Sequence, residues 1–231
     1  MAESYGLVFK AGDDNRIVLD SEYSRLVVMY KGRYVGTEED GNSSSTYFPS
    51  PITTQEQPLV FIRPDSANGI IGMSNLEIFG SAGNWTGFRV RIFNMYTIKP
   101  VGRWFVAGYV AQPLSTFGAR LRDANRKLLF DTGTPAAQFV RASNTWTYAG
   151  SSTTNQGLTI TYFNSQFDLN ENEYMLINNL CMQAVTIAAG TANRQIAAMW
   201  NYPSRILTLG MISLQNAVVT GVTVMIGRIA Q

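Results

Sequence analysis

Few side chains in this sequence have the type and spacing to do chemistry. Acidic residues gather at Asp13-Asp14, at Glu38-Glu39-Asp40 and in the run Asp168-Leu-Asn-Glu-Asn-Glu173. The last run opens with oxygen ligands at alternate positions, as a calcium loop does. Yet Glu173 stands where such a loop needs a turning glycine, and Asn179 where it needs a closing bidentate glutamate. It reads as a solvated turn. A glycoside hydrolase needs two carboxylates facing one cleft, and every acidic candidate here sits in turn-like sequence.

Aromatic residues offer a second chemistry, the stacking of sugar rings. Trp85 lies in Asn-Trp-Thr and Trp146 in Asn-Thr-Trp-Thr, with Tyr148 two residues on, so these three are the candidate ligand or partner contacts. Trp104 stands beside Phe105 in an apolar strand and belongs to the core. The sequence contains no histidine, which removes the usual proton shuttle and the commonest metal ligand. Cys181, the one cysteine, lies in an apolar run and reads as a buried thiol with no base to activate it. No phosphate loop, nucleophile elbow or dinucleotide fingerprint is present. These residues predict no catalytic set, no cofactor and no metal.

Composition narrows the partners. The net charge of +2 and the scattered Lys and Arg residues do not fit nucleic-acid binding. Charged residues make up only 15% of the chain while Asn, Ser, Thr and Gly abound. Such a surface packs against neighbours without desolvating charge, and a homo-oligomer is expected. A single cysteine allows no intrachain disulfide. The amino terminus has no apolar leader segment, and the apolar stretch 206–229 is interrupted by Gln215, Asn216 and Arg228, which predicts strands and no membrane insertion.

The elements that must position these residues are strands. Short apolar or alternating runs at 25–30, 59–63, 76–79, 88–93 and 104–110 alternate with Gly-, Asn- and Ser-rich turns, and the second half repeats the pattern at 138–141, 158–163, 174–177, 184–187, 195–200, 206–213 and 218–229. The expected fold class is all-β. Residues 37–54 form the longest polar stretch and read as a surface loop, or an arm ordered by a neighbour. The halves also begin and end alike. A hairpin from Gly6 to Asp20-Ser21 matches one from Gly118 to Asp131-Thr132, and Phe105-Val-Ala-Gly108 through Gln112 matches Val224-Met-Ile-Gly227 through Gln231. This predicts an internal duplication: two tandem β-sandwich-like modules, 1–112 and 113–231, joined near Gln112-Pro113-Leu114-Ser115-Thr116.

The segment Phe117-Gly118-Ala-Arg-Leu-Arg-Asp-Ala-Asn-Arg-Lys-Leu-Leu-Phe-Asp131-Thr132-Gly133, with Gln57-Pro-Leu-Val-Phe-Ile-Arg-Pro64 upstream, resembles small tail proteins of long-tailed bacteriophages. Those proteins carry a hairpin of the form Gly-Leu-x-Val closing on Phe-Asp-Ser/Thr, of which Tyr5-Gly6-Leu7-Val8 with Leu19-Asp20-Ser21 is another copy. The chain departs from the pattern at Asp14-Asn15, Asn125 and Arg120. The resemblance implies a non-enzymatic virion protein of the tail tip or baseplate, made in the host bacterial cytoplasm, with other tail proteins and tail fibres as partners. A receptor- or carbohydrate-binding module at the tail tip, contacting a host surface glycan, is the alternative. In either case the first module is expected to attach to the virion, and the second to face outward with Trp146 and Tyr148.

Overall fold

The structure is a computed structural model that describes residues 6–11, 14–20, 25–35, 43–66, 69–93, 101–154, 157–181, 183–185, 193–213 and 220–230. Its organisation follows from two strands, β5 (Leu59–Pro64) and β8 (Gly102–Gly108). Both read as near-continuous apolar runs. Because successive strand side chains point to opposite faces, such runs require burial on both. The pair lies within a closed six-stranded barrel, whose other members are β3 (Val27–Tyr34), β11 (Ala136–Ser143), β14 (Glu173–Leu176) and β18 (Val224–Ala230). Its order is β11-β18-β14-β5-β8-β3. One register pair, Ala136 with Val27, closes the ring, flanked by hydrogen bonds from Val28 N to Pro135 O (2.8 Å) and from Ala137 N to Leu26 O (2.9 Å).

Alternation then divides the core in two. Val28, Phe61, Phe105, Ala107 and Leu176 point inward and fill the barrel, together with side chains from β11 and β18. Phe61 stacks on Phe105 with centroids 4.5 Å apart and planes 12° from parallel, and reaches Phe139 across the barrel at 5.6 Å. The intervening residues Val60, Ile62, Trp104, Val106, Met175, Ile177, Val224 and Ile226 point outward and meet the apolar face of a second sheet. That sheet runs β12 (Thr147–Thr153), β13 (Thr159–Gln166), β17 (Ile206–Ser213), β16 (Asn193–Asn201), β6 (Ile70–Ser81), β7 (Asn84–Ile92), β4 (Ser43–Ile52), with β15 (Gln183–Val185) also pairing β16. Two ribbons stand apart as two-stranded sheets: β1 (Gly6–Ala11) with β2 (Asp14–Asp20), and β9 (Arg120–Arg122) with β10 (Leu128–Asp131). The protein is all-β, with no helix among the described residues.

The expected tandem modules are not how the strands are shared. β3, β5 and β8 come from the first half and β11, β14 and β18 from the second, so one barrel needs both, and the main sheet mixes the halves in the same way. The physical reason is that each half presents three barrel strands, too few to close a ring alone. The pairing pattern does repeat. β3-β8 and β5-β8 answer to β11-β18 and β14-β18, and the same one-residue bulge falls between Val28 and Tyr30 and between Phe139 and Arg141. The halves join at β3-β11, β5-β14 and β6-β16. In this correspondence Phe61 answers to Leu176, Val106 to Ile226 and Ala107 to Gly227. The sequence match of Gly108 with Gly227 is therefore displaced by one residue, which in a strand would exchange its faces. Gly6 likewise answers to Arg120, since these are the residues opposite Asp20 and Asp131.

Residues 43–52 also differ from expectation, because they form β4 where a loop was predicted. Among the described residues β4 is an edge strand paired only with β7, so Pro49 and Pro51 are tolerated, while Phe48 and Ile52 supply its buried apolar side chains and Ser43 and Ser44 are buried beside them.

Gly227 packs closely against Phe61: a Cβ there would lie 2.7 Å from Cε1 of Phe61. Gly227→Ala is expected to destabilise the fold by about 1–3 kcal/mol through overpacking. Adding Phe61→Leu recreates the Leu and Ala that occupy the corresponding positions 176 and 107, so the double variant is expected to lose less than the two single losses combined. Chemical denaturation of the four proteins measures the cycle, and additive losses would show that the two side chains do not compete for space.

Candidate functional site

The three aromatic candidates have different fates. Trp85, the second residue of β7, is 7% exposed within the core between barrel and sheet, and its Nε1 donates to the Thr54 carbonyl at 2.9 Å. It is not a stacking platform. The polar residues around it belong to the β6-β7 hairpin turn, and its own side chain falls on the inward face. Trp146 is half-buried, packs against the same core and donates from Nε1 to Val222 O at 2.7 Å. Tyr148 is 55% exposed on the edge strand β12, with Phe163 edge-on at 6.1 Å. Of the three, Tyr148 is the most exposed.

The acidic run at 168–173 forms an exposed turn, as expected, whose backbone is held by arginines while Leu169 and Glu173 are buried. Arg63 of β5 donates to the carbonyls of Asn170 and Glu173, Arg103 of β8 to that of Glu171 (3.1 Å), and Arg141 of β11 to that of Asp168. The Glu173 carboxylate, 9% exposed by residue, accepts from Arg141 Nη2 at 2.6 Å and from the backbone and side-chain nitrogens of Asn170 at 3.0 Å each. Burial alone would raise its pKa. The Arg141 and Asn170 hydrogen bonds outweigh that and hold it below the usual carboxylate value. Backbone carbonyls of the run face guanidinium groups from three barrel strands, so the run is fastened to the barrel. Asp13 and Glu38-Glu39-Asp40 lie outside the described residues. Cys181 is buried in the core, where loss of solvation pushes its thiol up to about 12.

Asp131, the acid that closes the second hairpin motif, is a clasp. Its two oxygens accept from Ser115 N (3.0 Å), Ser115 Oγ (2.8 Å), Gly133 N (2.8 Å) and Arg120 Nε (2.7 Å). These bonds tie the connection after β8 to the ribbon β9-β10. The preceding Gly118 has φ +135°, and a Cβ there would lie 1.9 Å from Thr132 Oγ1, so the turn admits only glycine.

A polar recess lies where the β6-β7 ladder slips. Ser74 faces Arg91 and Glu77 faces Arg89, which leaves Asn75 and Leu76 opposite the single residue Val90. This is a β-bulge, a device that re-aims side chains. Asn75 has φ +49°, and Leu76 N leaves the ladder to bond Cys181 O at 2.7 Å. The recess encloses about 500 Å³, bounded by Gln57, Asn75, Leu76, Glu77, Ile78, Arg89, Arg91 and Asn178. One wall is rigid, because Asn178 accepts from Val60 N at 2.7 Å and donates to Pro58 O at 3.1 Å. Glu77 holds Arg89 through Nη2 at 2.5 Å, while the buried Arg89 Nε has no hydrogen-bond partner among the described residues. Sequence reasoning placed a strand at 76–79 and missed the recess. The one available signal was Asn75 within a strand-like run, since Asn is among the side chains that tolerate positive φ.

The chain matches no protein-family model, no curated protein and no solved structure.

The clasp generates a pH signature. Burial would raise the Asp131 pKa, but hydrogen bonds from Ser115, Arg120 and Gly133 lower it from 3.8 to about 2. A carboxylate depressed on folding stabilises fully above its unfolded value, and that contribution fades as pH falls through the folded one. Asp131→Asn is expected to lower Tm at pH 7 and to flatten the decline in Tm between about pH 4 and pH 2. Thermal melts across that range check this, and an unchanged slope would remove Asp131 from the account.

Proposed function

We propose that the chain is a structural subunit of a bacteriophage tail tip or baseplate that joins or supports tail fibres, and that it is not an enzyme. The observation that carries this reading is the pair of ribbons. β1-β2 and β9-β10 coincide with the segments that resemble tail proteins, and neither the barrel nor the main sheet continues them. A two-stranded ribbon is marginal alone in water, and its open edges accept a strand from a neighbour. The approach to the second ribbon carries Tyr109, Leu114 and Phe117, all exposed, with Phe117 at 91%. Large apolar side chains held in water fit a surface that is covered in an assembly. The repeated strand pairing supports a further reading, that both halves arose from one duplicated unit.

The two expected faces then become two edges of one sheet. β4, from the first half, lies at the edge assigned to the virion and to other tail proteins or copies of the chain; β12, with Tyr148, lies at the opposite edge and faces outward. A second reading, a receptor- or carbohydrate-binding module at the same location, is favoured by the recess beside the β6-β7 bulge.

Phe117→Glu combined with Leu114→Glu tests the assembly reading in the full chain. Both side chains are exposed, so stability is expected to change by no more than about 0.5 kcal/mol for each. Wild-type protein is expected in purified tails by mass spectrometry and the folded double variant is expected to be missing from them. If the wild-type chain is never found in particles, the proposal fails.

A further inference from the structure

We infer that the face of the main sheet at Tyr47 binds a saccharide, whose pyranose ring stacks on the tyrosine while its hydroxyls bond Glu77 and Arg89. The inference rests on the reading of the protein as a carbohydrate-binding module, and it names the site and the mode of recognition. Phe48, Phe88 and Val90 pack into the core between sheet and barrel. Tyr47, Gly87 and Arg89 alternate with them and therefore lie on the side of the sheet away from the barrel. The ladder sets two rows across that side. Tyr47, Gly87 and Phe79 form one; Ser45, Arg89 and Glu77 form the next, two residues or about 7 Å along the strands.

The first row is an aromatic platform. Tyr47 stacks on Phe79 with centroids 5.6 Å apart and planes 28° from parallel. Gly87 stands between them in the ladder and has no side chain to intervene; a Cβ there would lie 2.4 Å from Thr46 O and 3.2 Å from Phe79 Cδ2. Phe79 is half-buried and covers the glycine, whereas Tyr47 remains 71% exposed. The stack occupies one face of the tyrosine ring, so that exposure falls on its other face and rim, which suit the apolar C–H face of a sugar. A ring already held by its neighbour has little freedom left to lose when a ligand covers it.

The second row supplies polar groups. Glu77 Oε2 accepts from Arg89 Nη2 at 2.5 Å, and the side chains are 54% and 34% exposed. The pair offsets its own charge and recognises hydroxyls, which donate to the carboxylate and accept from the guanidinium. Adjacent hydroxyls on one edge of a pyranose match these two groups set side by side, with charge-assisted hydrogen bonds to each. The spacing of the rows lets one ring cover Tyr47 and reach both. Glu77 and Arg89 also border the recess at the bulge, so the platform adjoins it.

The test is an array of oligosaccharides built from glucose, galactose, mannose, rhamnose and N-acetylglucosamine, probed with the full chain. Tyr47→Ala, Tyr47→Phe, Glu77→Gln and, at the opposite edge of the sheet, Tyr148→Ala are compared, and Tm is measured for each. Hits are titrated by calorimetry, and the sugar protons are followed by NMR. The wild-type chain is expected to shift the C–H protons of one sugar face upfield through the ring current of Tyr47. Tyr47→Phe keeps the ring and is expected to bind within about twofold of wild type, while Tyr47→Ala and Glu77→Gln each bind at least about fivefold more weakly. Tyr148→Ala is expected to bind as wild type does. If Tyr47→Ala fails to fold, the upfield shifts and Glu77→Gln decide. If sugars bind without upfield shifts, if folded Tyr47→Ala or Glu77→Gln binds as wild type does, or if Tyr148→Ala alone loses binding, the glycan-binding reading stands and this site is wrong. If no sugar on the array binds, both fail.

Discussion

The packing of Phe61 inside the barrel is the constraint on which the rest of the structure depends. Its ring lies flat on Phe105, reaches Phe139 on the far wall and occupies the space left by Gly227. A six-stranded barrel has room for few side chains, so a large ring from β5 must be matched by a missing one on β18. The match crosses between the halves of the chain, and neither half can fill the interior alone. The outward-facing residues of the same strands form an apolar surface for the main sheet.

That rigid centre positions every feature with functional potential. Arg63, Arg103 and Arg141 project from three barrel strands onto one turn and hold it by its carbonyls. The turn after β14 supplies Asn178 to the wall of the recess, while the sheet supplies the bulge opposite. The ribbons lie outside this framework, and Asp131 clasps the second of them to the connection after β8. Packing holds the framework, whereas the second ribbon is held by the polar bonds of Asp131 together with the buried Leu129.

Much of the framework was legible in the sequence, because doubly buried strands such as 59–63 and 104–107 can hardly be anything else. The edges were not. β4 and β12 are built mostly from Ser, Thr, Tyr, Gly and Pro, since an edge strand needs hydrogen bonds on one side only, and polar composition resembles loop. Trp85 misled for a related reason: its neighbours report the hairpin turn, while its own direction is set by the strand's alternation. The strand pairing repeats between the halves, but the sequence match of Gly108 with Gly227 lies one residue away from that pairing, which only the ladder could reveal. The recess was invisible because a bulge is a relation between two strands and leaves almost no trace in either. Cys181 was legible, its apolar surroundings being local.

The claim that one barrel is built jointly by both halves is tested most directly by cutting the chain. Residues 1–112 and 113–231 prepared separately each carry three of the six barrel strands, so each is expected to show no cooperative unfolding transition, while an equimolar mixture recovers the melt of the intact protein. A cooperative transition in either fragment alone would contradict the shared barrel and restore two independent modules.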